Sequence, residues 1–230
     1  MGVLFMNGTQ AQDFAVPRSR MVAEIEAMYA QTARETGLGA MSPAVRAAMG
    51  KVERHRLLDP ALAASAYRNH PLPIGNGQTI SQPYIVALST DLLNLKPGDA
   101  VLDIGTGSGY QAAVLAEIAS RVFSIEIIPA LGKEAEKRLE ALGYGNIEIR
   151  IGDGYAGWPE QGPFDGIVVT AAAPRVPPAL VAQLKPGGKM VIPVGGEGEI
   201  QYLKLITRRA EGGYDERRIL PVRFVPLVPK

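Results

Sequence analysis

The run Val101-Leu102-Asp103-Ile104-Gly105-Thr106-Gly107-Ser108-Gly109-Tyr110 restricts the fold of this chain more than any other stretch. An apolar segment carrying a single acid leads into glycines at every second position. A short apolar run of this kind suits a strand buried on both faces, as in a parallel sheet. Gly105, Gly107 and Gly109 let the backbone turn tightly with no Cβ in the way of a ligand, and Gln111 to Ala119 continue as a helix. Strand, glycine loop and helix in that order place a helix N-terminus beside a ligand, at the switch point of a doubly wound sheet. Asp103, Gly105, Thr106, Gly107, Ser108 and Gly109 are therefore candidate cofactor-binding positions.

The glycine spacing narrows the ligand. A dinucleotide loop reads G-x-G-x-x-G, which counted from Gly105 needs its third glycine at position 110, where Tyr110 stands. A nicotinamide-dependent oxidoreductase on the same architecture is disfavoured for that reason. The pattern D-x-G-x-G-x-G resembles instead the first motif of the S-adenosylmethionine-dependent methyltransferases with a Rossmann-like fold. Further along, Arg121 to Glu126 reads as a second strand ending in an acid. A carboxylate at the C-terminal end of the second strand is where a nucleoside site needs an acceptor for ribose hydroxyls, and the alternative is a solvated strand-end charge.

Around this loop the texture changes. Met21, Ile25, Met28 and Tyr29 recur at helical spacing, predicting an amphipathic helix from Arg20 to about Thr36, stopped by Gly37. Ser42-Pro43 and Asp59-Pro60 each pair an N-cap with proline at the first helical position, predicting helices over Pro43 to Val52 and Pro60 to Ala66. From Lys96 strands alternate with helices, the signature of a parallel sheet. Strands are expected near 100 to 104, 121 to 126, 147 to 151, 166 to 170 and 188 to 193, and helices near 110 to 119, 130 to 142 and 177 to 184. Leu-Lys-Pro-Gly at 95 to 98 and again at 184 to 187 reads each time as a turn launching a strand. Tyr202 to Thr207, Arg217 to Val222 and Phe224 to Val228 are candidate closing strands, with Pro221 and Pro226 marking an edge. The expected fold is α/β: a doubly wound, Rossmann-like methyltransferase sheet with helices on both faces, an N-terminal helical segment, and C-terminal strands closing the sheet. It is expected as a single domain over 1–230, with 1–95 mainly helical and 96–230 the cofactor-binding core.

Composition removes several classes of partner. The 24 basic and 23 acidic residues nearly cancel, with no block of Lys or Arg to attract nucleic acid or an anionic membrane. Zero cysteines exclude disulfides, thiolate ligands and a Cys nucleophile. No apolar run reaches the length of a membrane span, and Met1 to Gln12 lacks the features of a signal peptide. A cytoplasmic protein is expected. His55 and His70 have no ligand partner at metal spacing, so no metal is expected, and Trp158 reads as packing.

Upstream of the glycine loop, Pro73-Ile74-Gly75-Asn76-Gly77-Gln78-Thr79-Ile80-Ser81-Gln82-Pro83-Tyr84 reads as a structured loop. Ser81 is a natural N-cap for a helix from Tyr84 to Leu93, which could account for it without any chemistry. Gly77 to Tyr84 followed by Asp103 to Tyr110 closely resembles the protein-L-isoaspartate O-methyltransferases. The likeness continues through Gly152-Asp153-Gly154, Pro163-Phe164-Asp165, Thr170-Ala171-Ala172-Ala173-Pro174, Leu184-Lys185-Pro186-Gly187-Gly188 and Phe224-Val225-Pro226-Leu227, covering about Met41 to Val228. Asn76 departs from the His of many bacterial members, and Val86 from the His of animal members.

The resemblance implies transfer of a methyl group from S-adenosylmethionine to the free α-carboxylate of an L-isoaspartyl residue in a damaged protein or peptide. S-adenosylhomocysteine is left, and the ester closes to a succinimide. It makes Ser81 the active-site hydroxyl, sets Thr79 with it among the catalytic residues, and puts Ile80 beside the cofactor. Glu126 would hold the ribose, Asp153 and Gly154 would face the adenine, and Thr170 would be a further cofactor contact. Without the family, Asp153-Gly154 is an ordinary turn. An α-carboxylate is already ionised at neutral pH, so no base need stand out, and catalysis reduces to alignment, worth roughly 7 to 11 kcal/mol in favourable cases. A small-molecule methyltransferase would have no use for the 77 to 84 block. A cofactor-binding protein without catalysis would have no use for Ser81. The expected partner is an isoaspartyl protein or peptide, met by a monomer, with neither nucleic acid nor membrane.

Overall fold

The computed structural model describes residues 13–196 and 198–229. Two helices lead, α1 (Ala15–Thr36) and α2 (Pro43–Lys51). The first starts five residues before the expected Arg20 and stops at Gly37, whose left-handed φ of 75° lets its N–H reach the Ala33 carbonyl. Ser42 caps α2 by accepting from the Val45 N–H at 3.3 Å. Asp59 caps in the same way, accepting from Ala61 N–H at 2.8 Å, but Pro60–Ser65 is a 3-10 turn rather than an α-helix.

The expected loop at 73 to 84 is a hairpin of β1 (Leu72–Gly75) and β2 (Gln78–Ile80), followed by α3 (Pro83–Leu93). Its two turn residues, Asn76 and Gly77, have φ of 52° and 71°. Positive φ at both central positions is the turn whose twist matches a hairpin, and Asn-Gly is the pair that adopts it most readily. The Asn76 departure from the family pattern thus has a backbone reason.

The central sheet contains β3 (Ala100–Ile104), β4 (Arg121–Glu126), β5 (Ile147–Ile151), β6 (Phe164–Val169), β7 (Leu184–Val194), β8 (Gln201–Arg208) and β9 (Tyr214–Val222), in the order β5-β4-β3-β6-β7-β8-β9. From β5 to β7 all neighbours are parallel, while β8 and β9 close the far edge antiparallel. The helices α4 (Tyr110–Ala116), α5 (Pro129–Ala141) and α6 (Pro178–Ala182) connect the parallel strands. The first and last of these are shorter than expected. The second Leu-Lys-Pro-Gly is drawn into β7 rather than preceding it, with a register shift against β6. Phe224 to Val228 is not a strand. Pro226 has no N–H to give a ladder, and only a bridge to Ala172 forms.

Both faces of the sheet are covered. Val101, Val122, Val168 and Val191 join a core shared with Met21 and Ile25 of α1 and with Ile219 of β9. Leu102, Ile104, Ile167, Val169 and Met190 point the other way, into a core with Leu180 and Trp158, which meets Phe123 edge-on at 5.5 Å. Between β3 and β6 the winding reverses, and a crevice opens there at the carboxyl ends of the strands.

Candidate active site

The loop after β3 is bent by left-handed backbone at Gly105 (96°), Gly107 (52°) and Gly109 (86°). Expected to make room for a ligand, two of these glycines make room for the protein. A Cβ on Gly105 would lie 2.5 Å from Thr170 Oγ1, and one on Gly109 2.9 Å from Leu139 Cδ1. The Thr170 hydroxyl uses that space to reach the carbonyls of Gly105 (2.7 Å) and Ile104 (3.0 Å). On the other side, the N–H groups of Gly105 and Thr106 both donate to the Ile125 carbonyl. The loop is clamped between β4 and β6 before any ligand arrives.

Glu126 ends β4 and is 5% exposed. Its Oε2 accepts from Gly107 N–H at 2.8 Å and its Oε1 from Ile128 N–H at 2.9 Å. Two backbone donors fix the carboxylate, and each oxygen keeps a second lone pair for hydroxyl donors in the adjoining cavity. Asp103 lies differently from its expected place at the ligand. It is fully buried behind the loop, lines none of the cavities described below, and accepts from Ser124 Oγ at 2.7 Å. Ser124 Oγ lies 2.6 Å from Thr106 Oγ1, so the acid supports the loop through two hydroxyls. Its Oδ1 has no partner among the described residues. Burial pushes the Asp103 carboxyl up to about 7, against the pull of the Ser124 hydrogen bond and with a further push from the Glu126 charge.

Three cavities share walls here. One of about 110 Å³ runs past Ile104, Gly105, Gly107, Glu126, Gly154 and Leu227. A second, about 450 Å³, is lined by Pro71, Ser81, Gln82, Ile85 and residues 221 to 225. A slot of about 20 Å³ lies against the glycine loop, between Ile80, Ser81, Thr106, Ser108, Tyr110 and Gln111. Thr79 and Thr170 line all three.

Ser81 does not cap α3. The N-cap is Gln82, without a side-chain cap bond, and the Tyr84 N–H is taken at 3.0 Å by Oδ1 of Asn69, fifteen residues earlier. Among the described residues the Ser81 hydroxyl has no hydrogen-bond partner, and it borders two cavities. Asp153 accepts from Tyr155 N–H at 2.8 Å, an ordinary turn contact, and does not line the cavity. Gly154 does, and a Cβ there would stand 2.5 Å from Ile104 Cγ2.

The strap at 223 to 228 is a part of the site that periodicity misplaces. It holds its course without a ladder: Ala172 donates to Val225 O and accepts from Leu227 N–H, and Tyr155 OH donates to Leu227 O. The side-chain amide of Gln201 grips Phe224 at both ends, accepting from its N–H at 2.6 Å and donating to its carbonyl at 3.1 Å. Nothing in the sequence near Gln201 signals this. Among the described residues no three His, Asp or Glu side chains are grouped to hold a metal ion.

A family model described as protein-L-isoaspartate(D-aspartate) O-methyltransferase matches residues 26–230. The chain is 56% identical over 223 residues to protein-L-isoaspartate O-methyltransferase 1 of Cupriavidus necator, covering 96% of this chain and 86% of that one. It is 59% identical over 209 residues to the protein of the same description from Nitrosospira multiformis, covering 89% of each. Among solved structures, one protein-L-isoaspartate O-methyltransferase superposes with a TM-score of 0.76 at 28% identity, covering 91% of this chain and 65% of that longer chain. Another, from Plasmodium falciparum and in complex with S-adenosyl-L-homocysteine, gives 0.75 at 25% identity, with 95% and 99% covered.

Proposed function

The chain belongs to the protein-L-isoaspartate(D-aspartate) O-methyltransferase family, and from that premise we propose how its cavities divide one reaction. The reaction moves a methyl group from S-adenosylmethionine to the free α-carboxylate of an L-isoaspartyl residue in a protein or peptide, giving an ester that closes to a succinimide. The observation that carries the division is that Thr79 and Thr170 stand in the walls of all three cavities. The cavity beside Glu126 takes the nucleoside, with that carboxylate on the ribose and Gly154 against the adenine, backed by the Asp153 turn. The slot against Thr106 and Ser108 takes the amino-acid end, next to Ile80 and under Gly105, Gly107 and Gly109. The 450 Å³ cavity takes the isoaspartyl peptide.

The residues present fit such a cofactor. Glu126 is fixed by two N–H groups yet keeps acceptor capacity, and Gly154 lines the same cavity, where a Cβ would run into Ile104. When bound, S-adenosylmethionine supplies an electrophilic methyl on a sulfonium. The protein has no proton to remove, because the acceptor carboxylate is ionised already. Ser81 donates its uncommitted hydroxyl to one carboxylate oxygen and so aims the other. Thr170 has spent its proton on the Ile104 and Gly105 carbonyls, so it shapes the passage without donating to the substrate. Thr79 forms the opposite wall.

The same reading takes residues 1–230 as one domain, acting as a monomer in the cytoplasm without nucleic acid or membrane. The core that joins α1 to β9 supports the single domain, the near-balance of charge supports a partner other than nucleic acid, and no described helix is long and apolar enough to cross a membrane. The deciding assay offers labelled cofactor to paired isoaspartyl and aspartyl peptides. The isoaspartyl peptide should take up a methyl that mild alkali removes, with its twin nearly untouched. Equal labelling, or a methyl that survives base, would sink the assignment.

A further inference from the structure

Among the described residues, the wall of the large cavity contains one charged side chain, Arg223. We propose that Arg223 makes the enzyme favour isoaspartyl sites that carry an acidic neighbour. The inference rests on the reading of that cavity as the acceptor site.

The rest of the wall is uncharged: Pro71, Ile85, Pro221, Val222 and Phe224 are apolar, and Thr79, Ser81, Gln82 and Thr170 offer only neutral polar groups. A charge on the incoming peptide meets nothing there except this guanidinium. The other arginines of the β8–β9 hairpin are committed. Arg217 donates to Thr36 O through both terminal nitrogens, Arg218 lies over the Tyr202 ring, Arg208 donates to Ala182 O, and Arg209 reaches Asp215 and Tyr214 O. Arg223 is exposed and makes no hydrogen bond, ion pair or ring contact with any described residue.

Its backbone is nevertheless well placed. Val222 pairs with Gln201 in the sheet, and the Gln201 amide grips Phe224 on the other side. The root of the side chain is held, so meeting a partner requires ordering of the side chain but not of the backbone. Position decides which carboxylate is met. Thr79, Thr170 and Val225 border both the acceptor and the nucleoside cavities, whereas Arg223 borders the acceptor cavity alone. It therefore stands away from the transfer point. A guanidinium on the reacting carboxylate would occupy the oxygens that must attack, whereas one on the outer wall reads a flanking side chain.

The test uses three isoaspartyl peptides that differ only in having Glu, Gln or Lys on both sides of the isoaspartyl residue. Each is assayed with wild type, Arg223→Gln, Arg223→Lys and Arg223→Glu, and the readout is the ratio of kcat/KM between Glu and Lys peptides within each protein, so that any general loss cancels. Wild type should favour the Glu peptide by about two- to fivefold per charge, the size of an exposed ion pair, mainly through KM. Arg223→Lys should keep the order, Arg223→Gln should level it, and Arg223→Glu should reverse it. The preference should fade at high salt. A wild-type enzyme indifferent to flanking charge, or a preference that persists in Arg223→Gln, overturns the role of Arg223 while leaving the acceptor reading intact. Failure of wild type to methylate even the Gln peptide overturns both.

Discussion

Asp103 offers a test of the buried architecture that needs no substrate. Its carboxyl is sealed behind the glycine loop, one oxygen bonded to Ser124 and the other without a described partner, and its pKa is raised from 3.8 to about 7. An acid with a raised folded pKa binds a proton in the folded state that the unfolded chain has released. Its contribution to stability is therefore fully present below the unfolded value and is lost as pH rises through the folded one. Between pH 5 and pH 8 the loss comes to roughly 3 kcal/mol, because each pH step from 5 up to the folded pKa removes about 1.36 kcal/mol. Asp103→Asn removes the titration. The amide leaves a donor where no described acceptor lies, a cost of about 1 to 3 kcal/mol that does not vary with pH. Urea unfolding of both proteins across this range should give curves that differ in slope, with wild type losing ground to the variant as pH rises. Infrared spectra at pH 5 should show one more protonated carboxyl in wild type than in the variant. Parallel stability curves would mean that Asp103 is ionised throughout, and the account of its burial would be wrong.

Two substitutions test the site itself. Because Asn69 rather than Ser81 satisfies the first turn of α3, Ser81→Ala should melt with wild type while kcat and kcat/KM fall together by roughly ten- to a hundredfold, the worth of a hydrogen bond to a charged group. A protein about 1 kcal/mol less stable with full turnover would return Ser81 to capping. Glu126→Ala should weaken S-adenosylmethionine binding by about 1.5 to 3 kcal/mol by calorimetry, and an unchanged affinity would remove Glu126 from the ribose.

Strands β3, β4 and β5 match their expected limits to the residue: β3 and β4 are short buried apolar runs, and β5, at the sheet edge, alternates apolar and charged residues between Gly145 and Gly152. The hairpin at β1 and β2 is written in Asn76-Gly77, but its strands are too short for alternation to stand out. Side-chain contacts between distant segments leave no local trace. Asn69 reaching α3, and Gln201 standing in for a strand beside Phe224, both use ordinary amides at separations no periodicity spans. Arg54 is the extreme case. A basic residue reads as surface, yet it is 0% exposed, bonded to the Ala66 carbonyl and stacked 4.6 Å over Tyr110, with no acid to announce it. At the site, the glycine loop and Glu126 are legible as a unit, whereas the strap of 223 to 228 shows its relevance in sequence but not its backbone.

The sharing of Thr79 and Thr170 among the cavities has a thermodynamic corollary. On the proposed division of the cavities, a shift of either side chain by an occupant on one side would alter the walls of the other two spaces and so couple the ligands energetically. Such coupling is reciprocal: whatever factor the cofactor contributes to peptide affinity, the peptide returns to the cofactor. A substitution at Thr79 or Thr170 should therefore change both affinities together, where a pairwise view would assign each residue to one ligand.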